Sequence, residues 1–279
     1  MAIVLALISA VVYGTSDYCG GRAARGAPLL LVVLVTQVAS ASVSLIVISA
    51  SGDRFPAGTD VAWSIGAGLT SIIAVASFYF ALAQGAMTVI APITAVVSAV
   101  VPVAVGIASG ERPAPVALVG VVVALVAVAL ISGATRRAER STSPRIVGLA
   151  VVAGAGFGLL FVFLDRTSDA SGFWPLLIGQ LTTLPIVVLA VIVTGVGVRS
   201  VGRAGLLAAA AGALSVLANV SYLVATREGL LSLVAVITSM YPASTVVLAT
   251  VLDHERLSRP QVLGLGLAVT ALGMVAVGA

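Results

Sequence analysis

Apolar runs of about twenty residues, broken by short polar gaps, fill this chain from one end to the other. A run of that length crosses a bilayer as a helix. Ten runs predict ten helices, over about 2–20, 28–51, 61–83, 86–109, 115–134, 146–164, 174–196, 204–226, 229–252 and 260–278. The gaps hold turn residues, as in Cys19-Gly20-Gly21-Arg22, Ser51-Gly52-Asp53-Arg54 and Asp169-Ala170-Ser171-Gly172. The longest polar stretch, residues 135–145, separates the fifth run from the sixth and reads as a linker. The chain opens on Ala2-Ile3-Val4-Leu5 with no basic residue before the apolar run, so a first spanning helix is expected rather than a removable signal.

The second half of the pattern repeats the first at an offset of 144 residues. Gly85 and Glu111-Arg112 answer to Gly229 and Glu255-Arg256 (255 − 111 = 144), and Tyr13-Gly14 to Phe157-Gly158. Arg22 falls on Arg166, Phe78 on Tyr222, Ile93-Thr94 on Ile237-Thr238, and Gly120 and Ala124 on Gly264 and Ala268. The expected organisation is a first repeat at 1–134, a linker at 135–145 and a second repeat at 146–279. Five spans per repeat is an odd number, so the second repeat enters the membrane from the opposite side. The fold class expected is therefore an all-α membrane protein, about ten transmembrane helices in two inverted five-helix repeats. Secondary transporters are often built this way, around a midplane cavity.

Composition agrees with a lipid solvent. The chain is 60% hydrophobic and 9% charged, with mean hydropathy +1.22, whereas soluble domains carry roughly 25% charged residues. The net charge of +4 does not imply nucleic acid, because every basic residue is an arginine in a gap between apolar runs. The arginines act instead as topology signals. Arg22, Arg25, Arg136, Arg137, Arg140, Arg145, Arg199, Arg203, Arg256 and Arg259 fall on the linker side, against Arg54, Arg112, Arg166 and Arg227 on the other. Ten against four predicts a cytoplasmic linker and external termini. One cysteine, Cys19, excludes an internal disulfide and a cysteine-based metal site. The one histidine, His254, beside Glu255, has no partner motif and is expected at the interface. No metal and no cofactor is expected.

The pattern resembles the EamA-type members of the drug/metabolite transporter superfamily. The likeness rests on two five-span halves, a proline-bearing fourth span (Pro92, Pro102), the pair Glu111-Arg112 after it and Gly120 beyond. These features recur as Pro242, Glu255-Arg256-Leu257 and Gly264. The resemblance implies a ten-helix basket with a central cavity that moves small metabolites, often outward. Gln37 stands about where many relatives have an arginine early in the second span, so an anionic substrate is not carried over.

Chemistry is sparse. A charge at mid-bilayer costs about 2.5–3.5 kcal/mol, which makes any intramembrane ionisable group a functional candidate. Asp17 is essentially the one such residue. It reads either as a proton-coupling carboxylate or amine partner, or as an interfacial residue at the end of the first helix, near enough to Arg22 to pair. Asp165-Arg166 and Arg227-Glu228 read as interfacial pairs whose long side chains reach toward headgroups. Glu111-Arg112 and Glu255-Arg256 are expected to tie loops to helices at the ends of the fourth and ninth spans. A proline frees the carbonyl four residues earlier: Thr88 for Pro92, Ser98 for Pro102 and Thr238 for Pro242. The substrate-binding residues expected are Tyr13, Asp17, Phe78, Thr94, Ser98, Phe157, Asn219, Tyr222, Thr238 and Tyr241, on the first, third, fourth, sixth, eighth and ninth spans. Gln37, Gln180 and Ser77 are polar residues of the same kind. Interhelical hydrogen bonding or packing would account for any one of them equally well.

No enzyme constellation is visible, and Gly154-Ala155-Gly156-Phe157-Gly158 lies within an apolar run, not after a strand. The function expected is a secondary transporter of the plasma (inner) membrane. It moves a small neutral, zwitterionic or aromatic metabolite by alternating access, in the export direction. The alternatives are an intramembrane enzyme or lipid-handling protein without gradient-driven transport, and an assembly or sensor protein. The partners expected are a small-molecule metabolite and the lipid bilayer, with no nucleic acid, in a monomer or weak homodimer.

Overall fold

The computed structural model describes residues 1–84, 87–131, 143–197, 202–253 and 257–278. Gly85, His254, Glu255, Arg256, Arg199 and most of the linker, with Arg136, Arg137 and Arg140, lie outside them. All regular structure among the described residues is helical. The helices are α1 (Ala2–Gly26), α2 (Leu29–Ser51), α3 (Gly58–Gln84), α4 (Met87–Ala108), α5 (Pro115–Ile131), α6 (Pro144–Asp165), α7 (Trp174–Thr194), α8 (Gly202–Glu228), α9 (Leu231–Thr238), α10 (Tyr241–Leu252) and α11 (Arg259–Val277). A single 3-10 turn at Asp169–Ser171 leads from α6 to α7. Among the described residues eight segments are long and apolar enough to cross a membrane: α1, α2, α3, α6, α7, α8, the α9–α10 stretch and α11. The apolar parts of α4 (Ile93–Ala108) and α5 are shorter. The chain is a multi-pass membrane protein.

Two expectations are corrected here. Cys19-Gly20-Gly21-Arg22 is no loop, because α1 runs on to Gly26. Glycine's usual cost in a helix is overridden by packing: Gly20 faces Ala211, Gly26 faces Ala204, and Ser16 Oγ donates to the Ala211 carbonyl at 2.8 Å. The ninth span is not one helix either. α9 ends at Thr238 and α10 begins at Tyr241. Ser239 and Met240 turn between them, just ahead of Pro242, which has no N–H to give and disfavours helical backbone before it. α4, by contrast, continues through both Pro92 and Pro102. Its Ser98 carbonyl, freed by Pro102, lies against Gly158 of α6, where an added Cβ would sit 3.0 Å from it.

The helices pair reciprocally. α1 packs on α8 and α6 on α3; α2 packs on α8 and α7 on α3; α1 meets the α9–α10 segment and α6 meets α4. Each pairing is the other shifted by one repeat. α5 and α11 complete the set by packing on each other. A Cβ on Gly120 would meet the Ala271 carbonyl and Val275, and one on Gly264 would meet the Ala127 carbonyl and Ile131. These positions correspond one by one (264 − 120, 271 − 127 and 275 − 131 each give 144). They also show α5 and α11 antiparallel, since the start of one lies on the end of the other. The small residues therefore serve internal packing. Leucine at Gly120 or Gly264 overpacks this contact, at a cost of about 1–3 kcal/mol. Both variants are expected to melt at lower temperature than the wild type in detergent. Leucine at Gly266, where nothing lies within 4 Å, is expected to melt like wild type.

The bundle has two ends. Ala2 lies against Gly229, and Gly278 against Ala117. Both chain termini thus share one end, here the terminal face, with the loops 52–57, 109–114, 166–173 and 229–230. The linker face holds the start of α6 and the ends of α1 and α10. Arg54, Arg112, Arg166 and Arg227 fall at the terminal face. Arg22, Arg25, Arg145, Arg203 and Arg259 fall at the linker face.

Candidate functional site

Gly14 brings α1 onto the broken ninth span. A Cβ there would lie 2.4 Å from the Tyr241 carbonyl and 1.9 Å from Ser244 Oγ, so only glycine admits this approach. Ser244 Oγ donates to the Ala10 carbonyl at 3.1 Å and Thr245 Oγ1 to the Gly14 carbonyl at 3.0 Å, which fixes the start of α10 on α1. The neighbouring Tyr13 then stands among aromatic rings from three other helices. Its centroid is 6.3 Å from Tyr241 and 6.2 Å from Phe161, the latter edge-on, and Phe161 lies 4.6 Å from Tyr222. Tyr13 Oη donates to Asn219 Oδ1 at 2.6 Å, and Asn219 Nδ2 donates to the Ser215 carbonyl at 2.8 Å. This hydrogen bond joins the repeats near the middle of the bundle.

Asp17 lies one helical turn beyond Tyr13, toward the linker face. Val4, Ile8 and Val11 point outward from α1, while Ala6 and Ala10 are fully packed. At 3.6 residues per turn, Asp17 falls on the packed side with Ala6, Ala10 and Tyr13, opposite the outward stripe. Its side chain is exposed. α10 has no buried residue, whereas all eight residues of α9, on the terminal side of the break, are buried. The pairing of Asp17 with Arg22 does not occur. Arg22 Nη1 binds Asp253 Oδ1 at 2.6 Å and the Tyr18 hydroxyl at 3.0 Å. Nor is Asp17 at a helix end, since nine further residues of α1, about 14 Å at 1.5 Å each, separate it from Gly26.

The other expected site residues have different places. Tyr222 is wholly buried, its hydroxyl donating to the Phe161 carbonyl at 3.2 Å. Thr94 and Ser98 are buried in α4, with hydroxyls donating to the carbonyls of Ala150 and Ala95. Thr238 is fully buried at the end of α9, and its hydroxyl has no partner among the described residues. Phe78 and Phe157 meet edge-on at 6.4 Å between α3 and α6, apart from the Tyr13 cluster. So Tyr13 meets both Asn219 and Tyr241, Asp17 lies one turn along α1, and Tyr222 packs on Phe161 beside them.

The terminal face is closed by a polar network that sequence reading missed. Asp60, buried in the first turn of α3, accepts from the Ser168 amide at 2.9 Å and the Ser168 hydroxyl at 2.7 Å. Asp53 accepts from the Phe173 amide at 2.8 Å, and a Cβ on Gly172, at φ 52°, would collide with its carboxylate. Arg227 is no interfacial snorkel. It donates to the carbonyls of Gly172 (2.8 Å) and Ser168 (3.2 Å) and pairs with Asp169 at 3.2 Å. Glu111 does more than tie its own loop: its two carboxylate oxygens accept from the amides of Leu231 (2.7 Å) and Ser232 (3.0 Å), capping α9 from the other half of the chain. Position in a gap marks Asp53 only as a turn residue. The backbone amides that Asp53 and Asp60 accept from are more than a hundred residues away, which no local pattern signals.

The two faces carry equivalent contacts. Arg166 Nη2 donates to Ser109 Oγ at the terminal face, and Arg22 pairs with Asp253 at the linker face. The offsets are again 144 (166 − 22 and 253 − 109). Residues 144–277 match the EamA-like transporter family. The match lies in the second half of the chain, and EamA-like transporters are a family of the drug/metabolite transporter superfamily. A solved crystal structure described only as "Crystal structure of protein" superposes with a TM-score of 0.79 at 15% identity. The match covers 99% of this chain and 96% of that one, and at this identity it speaks for the fold alone. No curated protein matches the sequence.

Proposed function

We propose that the protein is a secondary transporter of the plasma membrane that exports a small neutral, zwitterionic or aromatic metabolite by alternating access. Ten spans are counted by joining α9 to α10 and by taking α4 and α5 as spanning. The two five-span repeats are inverted, a reading supported by the antiparallel α5–α11 pair and by the reciprocal pairings about it. One observation carries the proposal: Asp17, well inside a spanning helix, is exposed although it lies on the packed side of α1, one turn from Tyr13, which itself contacts Asn219 and Tyr241. The terminal face is held at Asp60, Glu111 and Arg227, and the linker face by the Arg22–Asp253 pair. The broken ninth span supplies the kind of discontinuity that substrate sites in carriers are built on. Asp17 takes a substrate amine or a coupling proton, and the aromatic rings hold the apolar part.

A metabolite panel screened by thermal shift on purified protein identifies ligands, because a compound that binds the folded state raises its apparent stability. Each hit is then followed in proteoliposomes. Asn219→Leu and Tyr241→Ala are expected to lower transport of the hit severalfold while membrane insertion and yield stay at wild-type level. Wild-type transport in both variants, or hits that bind but never cross the bilayer, would remove the carrier reading and favour an intramembrane enzyme or lipid-handling protein.

A further inference from the structure

Beyond the Tyr13–Asn219 hydrogen bond, on the terminal side, α3, α6, α7 and α8 enclose a cavity of about 70 Å³. Ser71, Gln180, Thr183 and Asn219 supply its polar lining, and no charged residue reaches it. Two of the four are already spent. Asn219 is held by Tyr13 and Ser215, and Thr183 Oγ1 accepts from Gln37 Nε2 and donates to the Gln180 carbonyl. Gln180 is not: its Oε1 is buried with no hydrogen-bond partner among the described residues. A buried amide oxygen left unpaired costs about 1–3 kcal/mol, so something must offset that loss.

The repeat provides an internal comparison. Gln180 corresponds to Thr36 (180 − 144), whose hydroxyl donates to the Ala208 carbonyl at 3.1 Å. Ser71 corresponds to Ser215 (71 + 144), bonded to the Gly212 carbonyl at 2.8 Å, and Asn219 to Val75. In the equivalent place the polar groups are satisfied locally or replaced by an apolar one. Packing is symmetric across this fold at Gly120 and Gly264 and at the Arg22 and Arg166 contacts. The polar cavity departs from symmetry, as the broken ninth span does. A departure that leaves a buried amide unpaired serves a ligand better than it serves packing.

We propose that this cavity is a substrate subsite for an uncharged hydrogen-bonding group, such as a carboxamide, with the Gln180 side-chain amide as its recognition element. The inference rests on the transporter reading above and refines its substrate class. A substrate would lie with its apolar body at Tyr13 and Tyr241 and its neutral polar end beside Gln180. The Tyr13–Asn219 hydrogen bond stands between the two compartments. A fixed charge at that end would be excluded, because nothing in the cavity balances it.

Benzamide and acetophenone test this, since they differ only by NH₂ against CH₃ at the same carbonyl. Equilibrium binding of each to the full-length protein in nanodiscs is measured against empty nanodiscs. The wild type is expected to prefer benzamide by about tenfold, the discrimination typical of a site built around a buried hydrogen bond. Gln180→Met is expected to lose or invert that preference while melting no lower than the wild type. Thr36→Val, at the equivalent place in the first repeat, is expected to keep it. Equal binding of the two probes by the wild type overturns the proposal without any variant. So does an unchanged preference in Gln180→Met, which would leave the cavity to ordinary buried water. Flux of labelled benzamide in proteoliposomes is scored separately. Selective binding with no flux would keep the subsite and reject the carrier.

Discussion

Asp17→Asn is expected to abolish concentrative transport while leaving exchange of substrate across the membrane intact. Asparagine keeps the shape of the side chain and removes its charge and its proton. An ionised carboxylate near mid-bilayer costs about 2.5–3.5 kcal/mol, and Arg22 does not offset it, because that guanidinium is held by Asp253 and Tyr18. The cost is tolerable where water reaches the group, and Asp17 is accessible on the inward side of α1. A carboxylate so placed binds and releases a proton, or an amine, as access alternates. Without it, substrate still occupies the site at Tyr13 and Asn219 and can be exchanged, but no gradient drives it. Proteoliposomes loaded with substrate and given a pH gradient separate the two activities. Uphill accumulation by Asp17→Asn at the wild-type level would return Asp17 to a structural role.

The features that span and pack were readable because they follow local rules. Length and apolarity placed the helices, and the 144-residue offset marked Gly120 and Gly264, whose contacts are reciprocal in the fold. Reading failed where a distant partner overrode a local signal. Gly20 and Gly21 suggest a turn, but α8 lies close enough that glycine becomes a packing residue inside α1. That error moved Asp17 to a helix end and gave it the wrong partner. Pro242 signalled a kink, but whether a helix bends or breaks depends on its neighbours. Here Gly14 of α1 and Ser244 hold the broken form. Thr94, Ser98 and Tyr222 carry the polar or aromatic groups expected of a cavity lining, and the fold commits their hydroxyls to backbone carbonyls. Gln180 has an ordinary sequence context; what sets it apart is a missing partner beside a cavity.

The two faces should respond in opposite directions to loss of their latches. Glu111 holds two amides at the start of α9, and a charged cap at a helix N-terminus contributes about 0.5–2 kcal/mol. Because Glu111 and α9 belong to different repeats, that energy holds the terminal face shut. Glu111→Ala is therefore expected to raise the population open at this face by about two- to thirtyfold, since 1.4 kcal/mol is a factor of ten. Ser232 reports it. The residue is fully buried behind the Glu111 carboxylate, so Ser232→Cys in a Cys19→Ser background reacts slowly with an impermeant maleimide until the face opens. Glu111→Ala should accelerate that reaction. Arg22→Ala should retard it, because loss of the Arg22–Asp253 pair favours opening at the linker face, and one cavity cannot open both ways. The pair is partly exposed, with side chains 47% and 19% accessible, so its effect should be the smaller, within the roughly 0–1 kcal/mol of such bridges. Acceleration by both variants would mean that the latches merely stabilise the bundle and that the two faces are not coupled.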